Sequence, residues 1–453
     1  MPLRLIESLT TTESLAEAFS DISVLQAMLD FEVALARAEA ELKIIPRSAA
    51  RTIAKLARAG NFDVAALARE TLRAGTPGIP VAKALRKKVQ RIDDTSADFV
   101  HWGATSQDVS DSALVLVLRK CAAILDADLN RLEAALLELI ARHKDTVMLG
   151  RTLLQPAPPI TLGLKAAGWL GSVRRGHARL SSAFSDVLVL ELGGASGTLA
   201  ALGKRGIDVG ERVAKKLNLR YPDAPWHTHR DRLAALVCAC GILTGSIGKI
   251  ARDMSLLMQA EIGELSEPGG SGRGGSSTMP QKRNPIASSI TLAAANRVPG
   301  LVAAFLSGMV QEHERAVGGM QAEWTTVASV IQSTGLAIAS MAEVAEGLTV
   351  NRKRMEENLE STRGTVFAEK AALLLSREVG RERAHLLLEQ ATDPQQPHHR
   401  TLSEILAQQP EMQGQISPKV LNRLEDPQDY LGVARQFSDR LCGPPKRRLR
   451  RRK

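Results

Sequence analysis

Aromatic residues make up only 3 % of this 453-residue chain, and there are just four cysteines. Each scarcity excludes something. Sandwiches and barrels draw on aromatic and β-branched residues; here alanine and leucine abound instead, so helices are expected throughout. Cys121, Cys238, Cys240 and Cys442 are too few and too scattered for a disulfide framework, and Cys238 and Cys240 fall in an apolar helical pattern that reads as core. No metal-ligand cluster is evident, and no cofactor motif. No apolar stretch reaches membrane-spanning length without charges, and the N-terminus lacks a basic-then-apolar leader. No repeat of 20–50 residues occurs. A soluble, cytoplasmic protein is expected, with no membrane partner.

The net charge of +10 is uneven. Residues 444–453, PPKRRLRRRK, hold seven basic residues and no acid, which leaves +3 for the rest. This tail follows two prolines, carries almost no apolar content and is expected to be disordered. The body is not basic enough for a nucleic-acid protein.

Three regions are expected: 1–105 with one helix from Ser20-Asp21 up to Pro46 and short helices after it, 106–349 with long ones, and 350–443 with short ones again. In the central region Leu114, Leu118, Cys121, Leu125, Leu129, Leu132, Leu136 and Leu139 recur at steps of three and four, the seam of one long helix. Further helices are predicted at about 157–190, 230–264, 285–313 and 321–348. Five helices of this length cannot each bury an apolar face in one monomer, so a bundle that associates across subunits is expected.

Glycine-rich residues 264–289, ELSEPGGSGRGGSSTMPQKRNPIASS, read as a mobile loop ending in a helix start, with Asn284 as N-cap and Pro285 in the first turn. Most Gly/Ser runs are linkers. Here Lys282 and Asn284 sit at the positive end of a helix, where backbone N–H groups attract anions. Two other segments look similar. In HWGATSQD, Thr105 and Asp108 have capping-box spacing, which sets Ser106 and Gln107 in a first turn. In GRTLLQPAPPITLG, prolines are expected to open a helix beside Thr152 and Gln155. Any one of these is ordinary capping. Three in one bundle, with a glycine lid, point to a site for a polyanion.

The run Gly275-Ser276-Ser277-Thr278-Met279-Pro280-Gln281-Lys282-Arg283-Asn284-Pro285 resembles the GSSxMPxKxNP signature of the fumarase/aspartase superfamily, with every fixed position filled. That resemblance implies an all-α, three-domain fold with a central five-helix bundle, forming a twenty-helix core in a homotetramer. It also implies a small carboxylate substrate and active sites shared among three subunits. By the same resemblance Ser276 is the catalytic hydroxyl and Ser277 a neighbouring donor. Lys282 and Asn284 bind the carboxylate that gathers charge, and Thr105 and Ser106 bind another.

Stretches outside the signature bear on the branch: Leu25 to Glu32, Gly193 to Gly197, Pro225 to Thr228 before Arg230-Asp231-Arg232, Gln311 to Arg315, and Ala322-Glu323-Trp324. They are similar to the superfamily's cycloisomerases, which close a carboxylated muconate, a tricarboxylate, to a lactone. An adenylosuccinate-type lyase is the alternative. The lyases carry an acid/base histidine in the second segment, yet Thr152 to Thr161 contains none. His101 either caps a helix or contacts substrate. His227 either binds a carboxylate or holds a turn. His313 and Arg315 are further candidate site residues.

Overall fold

The computed structural model describes residues 5–270, 274–275, 278–279, 281–393, 400–409 and 423–443. The expected catalytic Ser276, its neighbour Ser277 and the basic tail 444–453 lie outside the described residues.

The fold is all-α, as its composition requires. The first helices are α1 (Glu13–Ala18), the 21-residue α2 (Asp21–Glu41), and the shorter α3 (Arg47–Leu56), α4 (Val64–Ala74), α5 (Gly78–Gln90) and α6 (Asp94–Ala97). Ser20 opens α2 by accepting the Ser23 N–H at 3.2 Å, the cap that its sequence announces. The long helices α7 (Ser106–Arg142), α8 (Leu162–Val187), α10 (Asp231–Leu257), α11 (Ile286–Ser307) and α12 (Gly319–Gly347) follow, with α9 (Gly206–Leu217) between α8 and α10. All eight seam residues of α7 are at most 1 % exposed. Helices α13 (Arg352–Glu360), α14 (Ala368–Val379), α15 (Arg381–Ala391), α16 (Leu402–Ala407) and α17 (Ala434–Cys442) complete the described chain.

Contacts divide the chain into two units. Unit 1 comprises Met1–Arg131, Arg175–Lys249 and Ser288–Met341. Within it α2 packs on α3, α5 and α9. Unit 2 comprises Leu132–Arg174, Ile250–Ala287 and Ala342–Lys453. Its core gathers Ala371, Leu375, Leu387, Leu388, Leu402 and Leu406 from α14, α15 and α16.

Three expectations are corrected. Residues 157–161 are not helical: β1 (Val147–Thr152) and β2 (Gln155–Thr161) form an antiparallel hairpin, and α8 starts only at Leu162. The reason lies in the prolines. A residue before proline is pushed toward extended backbone, and Gln155, Ala157 and Pro158 each precede one. Gly150 serves the pairing, since a Cβ there would lie 2.2 Å from the Pro158 carbonyl oxygen. Secondly, α10, α11 and α12 are each long and apolar enough to cross a membrane by length and composition alone. Their most apolar windows are 61 %, 22 % and 67 % buried in the chain. Core helices are apolar on more than one face, which explains α10 and α12. The face of α11 is left largely uncovered. That helix also ends at Ser307, so residues 308–313, expected as its last turns, instead lie in the loop 308–318, with His313 at φ +47°.

Candidate active site

In unit 1 the start of α7 is tied to two distant segments through one carboxylate. Asp108 is fully buried. Its Oδ2 accepts the N–H of Thr105 at 2.9 Å and of Gly194 at 3.0 Å. Its Oδ1 accepts the N–H of Gly193 at 2.9 Å and faces His227 Nε2 at 2.7 Å. The capping spacing read from the sequence is therefore real, but Asp108 also holds the 193–194 turn and the His227 ring. Gly193 is required here, because a Cβ would stand 2.7 Å from the Pro225 side chain and 2.8 Å from the His227 ring.

His227 is buried, and its carbonyl accepts Gln107 Nε2 at 2.8 Å. The structure thus places His227 inside the protein, with its ring directed at Asp108. Glu191, also fully buried, accepts the Trp226 N–H at 2.7 Å through one oxygen. Burial, with the nearby charges of Asp111 and Asp108, pushes its carboxyl well above the usual range. Ligand-type atoms of Asp108, Glu191 and His227 lie within 4.8 Å of one another, the spacing of a metal site that the sequence did not reveal. Both Asp108 oxygens are already taken by backbone N–H groups, while the second Glu191 oxygen, 3.5 Å from His227 Nε2, has no hydrogen-bond partner among the described residues.

A second buried network lies on the same helix starts. Arg230 forms a two-pronged pair with Asp111 at 2.8 and 2.9 Å and reaches Glu323 at 2.8 Å, with all three side chains buried. The other Glu323 oxygen accepts Gln311 Nε2 at 2.7 Å, which roots the 308–318 loop. Thr228 donates to the His313 carbonyl at 3.0 Å. Arg315 then donates to Thr105 Oγ1 at 3.3 Å and to the carbonyls of Gly194 and Ala195 at 3.2 and 3.0 Å. Thr105, Ser106 and Arg315 are half-buried and His313 is exposed. His101 takes an αL conformation, φ +62°, and its Nδ1 meets buried Glu32 at 2.6 Å. Burial disfavours its charge, but the Glu32 carboxylate outweighs this and raises the imidazole above its usual value.

Unit 1 thus brings together Thr105, Ser106, His227, His313 and Arg315 of the expected residues. Thr152, Gln155, Lys282 and Asn284 belong to unit 2. Thr152 and Gln155 are register partners at the exposed hairpin end. Lys282 donates its N–H to Met279 and Asn284 to Gly274, so both lie in a turn before α11, which begins at Ile286. Sequence reasoning missed Glu32, Glu191 and the Asp111–Arg230–Glu323 triad as working groups. The signal was present: stretches singled out beyond the signature supply Glu32, Gly193, Gly194, His227, Arg230, Gln311, Arg315 and Glu323.

The family model described as Lyase matches residues 7–300. A 3-carboxy-cis,cis-muconate cycloisomerase of Bradyrhizobium diazoefficiens is 45 % identical over 96 % of this chain and 97 % of that protein. A protein of the same name from Pseudomonas aeruginosa is 46 % identical over 93 % of this chain and 92 % of its own. The crystal structure of 3-carboxy-cis,cis-muconate lactonizing enzyme from Pseudomonas putida superposes with a TM-score of 0.91 at 43 % identity, covering 97 % of this chain and 98 % of that one.

Proposed function

The chain belongs to this lyase family, and from that premise we propose that it is an intramolecular lyase closing 3-carboxy-cis,cis-muconate to 4-carboxymuconolactone. The step belongs to the protocatechuate branch of the β-ketoadipate pathway. One substrate carboxylate oxygen attacks the conjugated double bond. The new C–O bond forms as the displaced electron pair moves into a second carboxylate, giving an aci-carboxylate. The carbon beside it then takes a proton. Atoms balance with nothing released, so no leaving group has to be protonated.

The observation that carries this reading is whole-length similarity to cycloisomerases, in a chain with no titratable side chain from Thr152 to Thr161. The attack is intramolecular, so enforced orientation supplies much of the rate. We assign the proton transfer to Ser276, with Ser277 as a donor beside it. Lys282 and Asn284 meet the carboxylate that gains charge, and Thr105 and Ser106 another. Arg315, already on Thr105, adds a fixed cation. His227 acts by holding Asp108.

The working form proposed is a homotetramer with sites shared among three subunits. The apolar and largely uncovered α11 supports such an association. The cytoplasm is the proposed compartment, which suits four unpaired cysteines.

The test is an ultraviolet assay of purified protein with 3-carboxy-cis,cis-muconate, run beside adenylosuccinate and argininosuccinate. Loss of the diene absorbance alone supports the reading. Silence on the muconate with fumarate released from a succinyl substrate refutes it.

A further inference from the structure

The interior of unit 1 is short of positive charge around the start of α7. Asp108, Asp111, Glu191 and Glu323 are each at most 2 % exposed. Among the described residues a single guanidinium pairs with this group. Arg230 commits all three of its nitrogens to Asp111 and Glu323. Asp108 and Glu191 are left with His227 alone, at 2.7 and 3.5 Å from its Nε2. A buried charge is tolerated only where it is paired.

The acceptor count narrows the vacancy to one corner. A carboxylate offers about four acceptor positions. On Asp108 the N–H groups of Thr105, Gly193 and Gly194 take three, and the remaining one faces His227 Nε2. On Glu191 one oxygen accepts the Trp226 N–H. The other, Oε1, is buried without a hydrogen-bond partner among the described residues and is directed at the same ring nitrogen. An unpartnered oxygen at this depth is costly. The three donor atoms lie within 4.8 Å of one another.

We propose that Asp108 Oδ1, Glu191 Oε1 and His227 Nε2 hold a structural divalent cation of the zinc type. One imidazole nitrogen with two carboxylate oxygens is a donor set that zinc accepts. Donors about 2.1 Å from a four-coordinate ion stand about 3.4 Å apart. Glu191 and His227 already have that spacing, at 3.5 Å. Asp108 and His227, at 2.7 Å, part by about 0.7 Å to admit the ion. The ring binds through Nε2 with its proton on Nδ1, so the ion replaces the His227–Asp108 hydrogen bond. Backbone N–H groups hold both carboxylates from behind, as metal ligands are commonly held. The ion supplies the positive charge that Arg230 cannot, and it takes no part in the cyclisation. The proposal is therefore independent of the cycloisomerase reading.

The corner is closed to solvent, so the ion enters as the chain folds. The test expresses the full chain in zinc-supplemented medium, passes it through gel filtration with a weak chelator, and counts metal by plasma mass spectrometry. Wild type should carry about one zinc per chain. Glu191→Gln keeps the shape but loses the anionic ligand, and should carry less than about a tenth of that. X-ray absorption at the zinc edge of wild type, which needs no variant to fold, should give one imidazole and otherwise oxygen donors. Wild type with less than about a tenth of a zinc per chain overturns the proposal. So does a Glu191→Gln protein with its zinc undiminished, and so does an absorption spectrum showing sulfur or a second imidazole, since each places the ion elsewhere.

Discussion

Glu39 makes an unusual demand on this fold. It lies on α2, is fully buried, and neither of its carboxylate oxygens has a hydrogen-bond partner among the described residues. Burial, with the Glu32 charge adding to it, pushes its carboxyl up from 4.5 to about 9. A folded-state pKa above the unfolded value means the folded protein holds the proton more tightly. The stability from that proton is complete below about pH 4.5 and is lost as pH rises toward 9, by up to about 1.4 kcal/mol per pH unit. At pH 7 the accumulated loss is about 3 kcal/mol. Glu39→Gln removes the titration while keeping the shape. Urea unfolding at pH 5, 7 and 8.5, at one protein concentration, should find the variant within about 1 kcal/mol of wild type at pH 5. It should be more stable by about 3 kcal/mol at pH 7 and by more at pH 8.5. Parallel curves, with the same gap at all three pH values, would refute the reasoning, since a neutral isostere cannot then be removing a titration.

Other outcomes follow from the site. Ser276→Ala should lower kcat by roughly 10²-fold or more; steady-state turnover within a few-fold of wild type would remove the serine from the mechanism. Asp108→Asn takes away an acceptor shared by three backbone N–H groups and His227, and should destabilise by about 3–5 kcal/mol, read by thermal unfolding beside an activity assay. Arg315→Lys keeps the charge but loses the fork on Thr105, Gly194 and Ala195, so KM should rise roughly tenfold with unfolding unchanged. His101 is raised by Glu32 above its ordinary 6.5, so its contribution to stability is full below that value and is lost as pH rises through the folded pKa. A Glu32→Gln protein should show no such loss in a melting series across this range.

Much of this protein was determined by its sequence alone. Leucine and alanine at helical spacing, with few aromatics, leave little but a helical fold. The seam from Leu114 to Leu139 is buried as its steps of three and four demand, and the Ser20 and Thr105–Asp108 caps fall where their side chains can reach the local backbone. The loop signature and the absence of histidine between Thr152 and Thr161 pointed to the chemistry, because both are statements about chemical groups.

Tertiary structure decided whatever depends on distant partners. Asp108 looks in sequence like a cap, yet it also holds Gly193, Gly194 and His227, 85 to 119 residues away. Arg230 reads as one more basic residue at a helix start until Asp111 and Glu323 close around it. The run from Pro156 to Pro159 was expected to open a helix. Proline's hold on the residue before it, together with pairing to Val147–Thr152, made it a strand. Helical period and capping are local properties that a chain carries wherever it folds. A buried charge is tolerable only where remote segments bring it partners, and that meeting exists only in the folded molecule.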